Sequence, residues 1–196
     1  LETWKIRRVH NMSLVIAAIS KDRKRISACS DSRWVNSEDN SVVYDNISKI
    51  KKKNNYTLIG FAGDLNKMKP LYNHLQKEFP NFYDWDVNKV RDESYKFLKE
   101  NQSDTIGEMH FLIAGFDENK EPHLYTIVNR NGNTWKANLS SARSVYIGDL
   151  TCGFKLDKNE ENFDVVIKSM KNCIIECSKV NPAVNSEITQ LNLRLE

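Results

Sequence analysis

The hydrophobic pattern changes period along the chain. Up to Gly63 the apolar residues come in short runs joined by polar turns: Leu14-Val15-Ile16-Ala17-Ala18-Ile19, Ile26-Ser27-Ala28-Cys29, Asn46-Ile47-Ser48-Lys49-Ile50 and Tyr56-Thr57-Leu58-Ile59-Gly60-Phe61-Ala62-Gly63. Runs of this length and composition predict strands. Leu14 to Ile19 is apolar at every position, which predicts a strand covered on both faces. Lys21-Asp22-Arg23-Lys24 reads as a hairpin turn, with Ile26 to Ser30 returning antiparallel. Residues 36–40 read as an exposed loop, and Val42-Val43-Tyr44 as a short extended piece.

After Gly63 the spacing becomes helical. Leu65, Met68, Leu71, Leu75 and Phe79 recur at three- and four-residue intervals, predicting an amphipathic helix that Pro80 ends. Pro70 inside this pattern implies either a kink or a helix that begins near it. A second helix is predicted through Val87, Val90, Ser94, Phe97 and Leu98. Strands resume at Met109 to Phe116, Leu124 to Val128, Thr134 to Leu139 and Ser144 to Ile147, with Asn131-Gly132-Asn133 as a hairpin turn. A third helix is expected from Phe163 to Val180, stopped by Pro182, and a final strand from Ile188 to Leu193.

Strands and helices in separate blocks suggest an α+β fold over a doubly wound parallel sheet. Two antiparallel sheets covered by helices, a four-layer αββα sandwich, would bury the first strand on both faces. Residues 1–12 fit no clear element. They read as an extra strand, a leader or propeptide, or sequence upstream of a start at Met12, ahead of a single domain over 13–196.

Composition narrows the function classes. Of 196 residues, 40% are hydrophobic and 28% charged, as expected of a globular protein. A net charge of +3 is too small to suggest nucleic acid, and the Lys51-Lys52-Lys53 run reads as a solvated turn without interleaved aromatics. No apolar run approaches the ~18 residues of a membrane span, so no membrane partner is expected. Four cysteines in a chain this long do not read as a disulfide framework. Cys173 and Cys177, four apart on the third helix, could form a metal pair; without histidines at ligand spacing they read as core cysteines, and no metal is expected. These features fit a reducing cytoplasm.

The catalytic candidates lie at the ends of the early runs. Ser13 leads the first, Asp31 and Arg33 end the second, Lys49 precedes Ile50, and Gly63 ends the fourth. A hydroxyl nucleophile at neutral pH needs a base to take its proton. A residue at the start of the mature chain can use its own α-amino group, given charged neighbours to tune it and a backbone N–H for the oxyanion.

In this order the residues resemble the β-type subunits of the proteasome and their shorter bacterial relatives, in the N-terminal-nucleophile hydrolase superfamily. Ser30-Asp31-Ser32-Arg33 is similar to the family's Asp-x-Arg, Asn46 to Ile50 to the segment with its active-site lysine, and Phe61-Ala62-Gly63 to the Ala-Gly before its first helix. Phe111 to Asp117 with Pro122 to Ile127 resembles its later hairpin, and Val145-Tyr146-Ile147-Gly148 its next strand. The resemblance implies Ser13 as nucleophile after removal of Met12, Lys49 lowering the amine's pKa, Asp31 positioning Lys49, Arg33 bracing the loop and Gly63 donating the oxyanion N–H. Val35 would pair its backbone with substrate, and Gly148 and Asp149 would support the site.

The sequence also departs from the family. Ser13 stands for the usual Thr, Val35 for a common Thr and Asp149 for a supporting Ser, and the hairpin before Ile26 is longer, so that Met12 could instead take the nucleophile position. The resemblance implies a peptidase or amidase without a cofactor, acting on peptide or protein substrates and self-associating. The competing reading is an inactive structural homologue that serves assembly or partner binding.

Overall fold

The computed structural model describes residues 13–36, 41–101, 108–130, 133–138, 142–150, 152–153, 157 and 159–195, apart from the side chains of Leu65, Asn66 and Phe82. Among the described residues six strands come first: β1 (Leu14–Ile19), β2 (Arg25–Asp31), β3 (Trp34–Val35), β4 (Val42–Tyr44), β5 (Ile50–Lys52) and β6 (Thr57–Gly63). Helices α1 (Leu65–Glu78) and α2 (Val87–Glu100) follow, then β7 (Glu108–Phe116), β8 (Pro122–Arg130), β9 (Asn133–Asn138) and β10 (Ser144–Gly148). Helix α3 (Phe163–Ser178) and β11 (Ile188–Arg194) close the chain.

These strands form two main antiparallel sheets, ordered β10-β1-β2-β11 and β5-β6-β7-β8-β9, with β3 and β4 in a separate ribbon. β1 lies inside its sheet, and all six of its side chains are buried. Val15 and Ala17 turn toward the second sheet, where they meet Ile50, Leu58, Leu112 and Ala114. Leu14, Ile16 and Ala18 turn the other way, onto Val166, Met170 and Ile174 of α3. The outer face of the second sheet, with Ile59, Phe61, Phe111 and Ile113, packs on Leu71 and Leu75 of α1 and Val87 and Val90 of α2. The layers are therefore α, β, β, α, as the hydrophobic pattern predicts.

Asp86 caps α2 by accepting from the Asn88 and Lys89 N–H groups at 2.9 Å each. Pro70 lies inside α1, so the helix does not wait for it to begin. Helix α3 ends at Ser178, two residues before the expected Val180. Residues 46–49 are not strand: this pairing begins only at Ile50, leaving Lys49 at the mouth of β5. The readings of residues 1–12 lie outside the described residues, and so in part do the loop over 36–40, the turn at Asn131-Gly132 and the strand end at Leu139.

The cysteines depart from the sequence reading. Cys177 forms a disulfide with Cys152, across 25 residues, in place of a free core thiol. Pairing of β10 with β1 brings the loop after β10 onto α3, where Cys177 faces inward one turn beyond Cys173. That contact depends on tertiary packing, which linear spacing does not encode. The lysine run is likewise not wholly solvated, because the Lys51 and Lys53 ammonium groups lie 4.6 and 4.3 Å from the centre of the Tyr72 ring. Among the described residues no helix is long and apolar enough to cross a membrane.

Candidate active site

β1 alternates its side chains between the two cores, so the residue before Leu14 continues on the face of Val15 and Ala17. That residue is Ser13. It is half-buried, and its carbonyl accepts from the Asp149 N–H at 3.2 Å. Met12, the alternative nucleophile position, lies outside the described residues.

Asp31 holds the end of β2 against the start of β1. Its Oδ1 accepts from the Leu14 N–H at 2.9 Å, and its Oδ2 from the Arg33 N–H at 3.0 Å and from Lys49 Nζ at 2.6 Å. The Asp31 and Lys49 side chains are both fully shielded from solvent. Burial pushes the Lys49 ammonium down in pKa, opposed by the Asp31 charge. It pushes the Asp31 carboxyl up, opposed by Lys49 and the two backbone donors. A lysine between Ser48 and Ile50 reads equally well as a solvated edge residue; its complete burial against a carboxylate sets that simpler reading aside. The Lys49 carbonyl accepts from Phe61 N–H at 2.9 Å, which fixes it to β6.

Arg33 does not join the buried pair through its side chain. Its guanidinium grips Asp45 through Nε at 2.8 Å and a terminal nitrogen at 3.2 Å, and donates to the Pro182 carbonyl at 3.2 Å. This bidentate bond holds the Asp45 carboxyl below its ordinary pKa. Val35 lies two residues further on in β3, where it pairs with Val42.

Two glycines shape the other walls. Gly63 has φ +108°, and a Cβ there would lie 2.1 Å from the Glu108 carbonyl oxygen, which also accepts from the Asp64 N–H at 2.8 Å. Gly148, at φ +93°, comes so close to Ser13 that a Cβ would lie 1.6 Å from its carbonyl oxygen and 3.3 Å from Ala62 Cβ. The Asp149 side chain accepts from Asn181 Nδ2 at 3.2 Å.

Two further residues belong to this neighbourhood without any sequence signal. His110 Nδ1 accepts from the Gly148 N–H at 3.2 Å, while its Nε2 lies 2.6 Å from a Glu108 carboxylate oxygen, so Nε2 carries the proton. Glu108 in turn lies 3.2 Å from Arg130. Asn185 accepts from the Ser32 N–H at 2.9 Å and donates to Asp45 Oδ1 at 3.0 Å, stitching the Arg33 loop to the chain before β11. His110 alternates with Met109 and Phe111 on β7, which marks its face, but only the sheet packing shows what it meets.

The αββα sandwich is consistent with the N-terminal-nucleophile-hydrolase-like class that a family match defines. Residues 18–182 match the sequence profile of the proteasome subunit family, a span that includes Asp31, Arg33, Lys49, Gly63 and Gly148. The chain belongs to that family. No individual curated protein matches it at a significant level.

Proposed function

We propose that this chain is a proteasome-like hydrolase that cleaves peptide or amide bonds with Ser13 as an N-terminal nucleophile, exposed by removal of the residues up to Met12. The observation that carries the reading is the Asp31 carboxylate, which binds both the Leu14 amide, one residue after Ser13, and the fully buried Lys49. A buried ion pair is a costly feature for a strand end that only has to pack. Here it holds a lysine of lowered pKa beside the start of β1.

In this reading the free α-amino group of Ser13, kept neutral by the nearby Lys49 charge, takes the hydroxyl proton as Oγ attacks the substrate carbonyl. The Gly63 N–H stabilises the oxyanion, the amine leaves with the proton, and water hydrolyses the acyl ester to regenerate Ser13. Asp31 orients Lys49, and Arg33 braces the loop through Asp45. The Val35 backbone pairs with extended substrate, and Gly148 and Asp149 hold the Ser13 carbonyl. The reading includes a self-associating subunit working in the cytoplasm, with residues 13–196 as the mature domain.

Ser13→Ala is expected to lower hydrolysis by roughly 10³-fold or more while leaving the melting transition unchanged. N-terminal sequencing and intact mass of the protein from its own host, followed by trapping with an electrophilic peptide, supply the companion test. A chain that starts at Ser13 and takes the label on that residue supports the proposal. Full activity in Ser13→Ala, or a retained leader with no labelling, overturns it and favours a structural subunit.

A further inference from the structure

Three of the four cysteines converge behind the wall that touches Ser13. Cys152 follows Gly148 and Asp149 in the loop after β10, and Cys173 and Cys177 lie one turn apart on the inner face of α3. Their sulfur atoms all lie within 4.8 Å of one another. Cys152 and Cys177 are bonded, and Cys173 Sγ lies 3.4 Å from Cys152 Sγ as a free, buried thiol. The Cys173 carbonyl oxygen is 3.2 Å from Cys152 Sγ, an acceptor that a disulfide sulfur cannot use and a reduced Cys152 thiol can. The site therefore provides partners for both redox states.

We propose that Cys152, Cys173 and Cys177 form a thiol–disulfide exchange site whose state sets how firmly the Gly148–Asp149 turn holds Ser13. Two of the ties between this turn and the end of α3 bear on Ser13. One is the Cys152–Cys177 bond. The other is the hydrogen bond from Asn181 to Asp149, and Asn181 is itself anchored by its N–H to the Cys177 carbonyl at 2.8 Å. Opening the disulfide removes the covalent tie and leaves hydrogen bonds, Asn181 to Asp149 and the reduced Cys152 thiol to the Cys173 carbonyl, in its place. The effect passes directly to Ser13, because Asp149 N–H donates to its carbonyl and Gly148 lies against it.

The chemistry closes with a dithiol as reductant. Cys152 is half-buried and Cys177 fully buried, so an incoming thiolate attacks Cys152 Sγ, breaks the S–S bond and expels Cys177 as a thiolate, which takes up a proton. The reagent's second thiol, deprotonated, then displaces Cys152 from the mixed disulfide; Cys152 is protonated, and the reagent leaves as its cyclic disulfide. Cys173 offers an internal route without any outside reagent: its thiolate attacks Cys152 Sγ, and Cys177 leaves with the electron pair and takes the proton that Cys173 lost. Burial pushes the Cys173 thiol up to about 11, so this isomerisation speeds up with pH through the alkaline range. Cys29, a buried thiol outside this sulfur cluster, serves as the control.

The test uses the full chain with dithiothreitol as the dithiol, and reads out amide hydrogen exchange and alkylation mapping. Reduction is expected to speed exchange at Gly148 and Asp149 about tenfold, and Cys29→Ser to leave this response unchanged. Cys177→Ser is expected to trap a Cys152–Cys173 disulfide on oxidation. Unchanged exchange after complete reduction overturns the coupling, and free Cys152 and Cys173 in oxidised Cys177→Ser overturns the exchange site. The inference takes from the proposed function only that Ser13 is the reacting residue. Neither readout requires hydrolysis, so an inactive protein would leave this result standing while the function failed.

Discussion

Lys49→Met is expected to lower the unfolding free energy by about 3–5 kcal/mol, the cost of leaving a buried charge without its partner. The side chain that replaces lysine is of similar length, so packing is largely preserved and the loss reports on Asp31. Stripped of its cation, the Asp31 carboxyl is pushed still higher by burial. A group whose folded pKa lies above its unfolded value (near ~3.9) stabilises the fold fully only below that value, and its contribution is lost as pH rises through the folded pKa. Lys49→Met should therefore be most deficient near neutral pH and recover part of its stability toward pH ~4. Chemical denaturation across that range measures this directly. Adding Asp31→Asn removes the stranded charge, and the double variant should be more stable than Lys49→Met alone. A double variant that is less stable would show that Asp31 supports the fold through its backbone bonds and not through Lys49. Hydrolysis should be lost in both.

Gly148→Ala should be nearly as severe for a different reason. Its φ of +93° strains any residue with a Cβ, and that Cβ would lie 1.6 Å from a backbone oxygen, so β1 or β10 must move. Gly153 separates the two effects. It also has a positive φ, +69°, but a Cβ there meets nothing within 4 Å. Gly153→Ala should cost about 1 kcal/mol from backbone strain alone. Gly148→Ala should cost about 3 kcal/mol or more and abolish labelling of Ser13 by an electrophilic peptide. Equal losses in the two variants would mean that the close approach to Ser13 has no energetic weight.

The sequence shows the layers because each element carries its own period. An all-apolar run from Leu14 to Ile19 has only one comfortable place, between a sheet and a helix layer. The stripe of Phe163, Val166, Met170 and Ile174 says which face of α3 turns inward. The resemblance also singles out Asp31 and Lys49, and the structure brings them to 2.6 Å. What stays hidden is whatever depends on distant segments meeting. His110 looks like any strand histidine until β10 arrives, and Asn185 like a loop residue until the Arg33 turn packs on it across 153 positions from Ser32. The Cys152–Cys177 bond belongs to the same group. Spacing flags Cys173 and Cys177 as neighbours on a helix, but the partner comes from a loop whose position is set by β10 pairing.

The strand order β10-β1-β2-β11 has a consequence for how the chain is made. The first sheet places the first two strands beside the last one, Ile188–Arg194, which covers β2 along its whole length. During synthesis β2 is present long before this partner, so the growing chain carries an unpaired edge of seven residues, including Ile26 and Ala28. Such an edge invites pairing with another nascent chain until β11 leaves the ribosome. Translation that stalls near residue 185 should therefore yield aggregated product and not a slightly shortened fold.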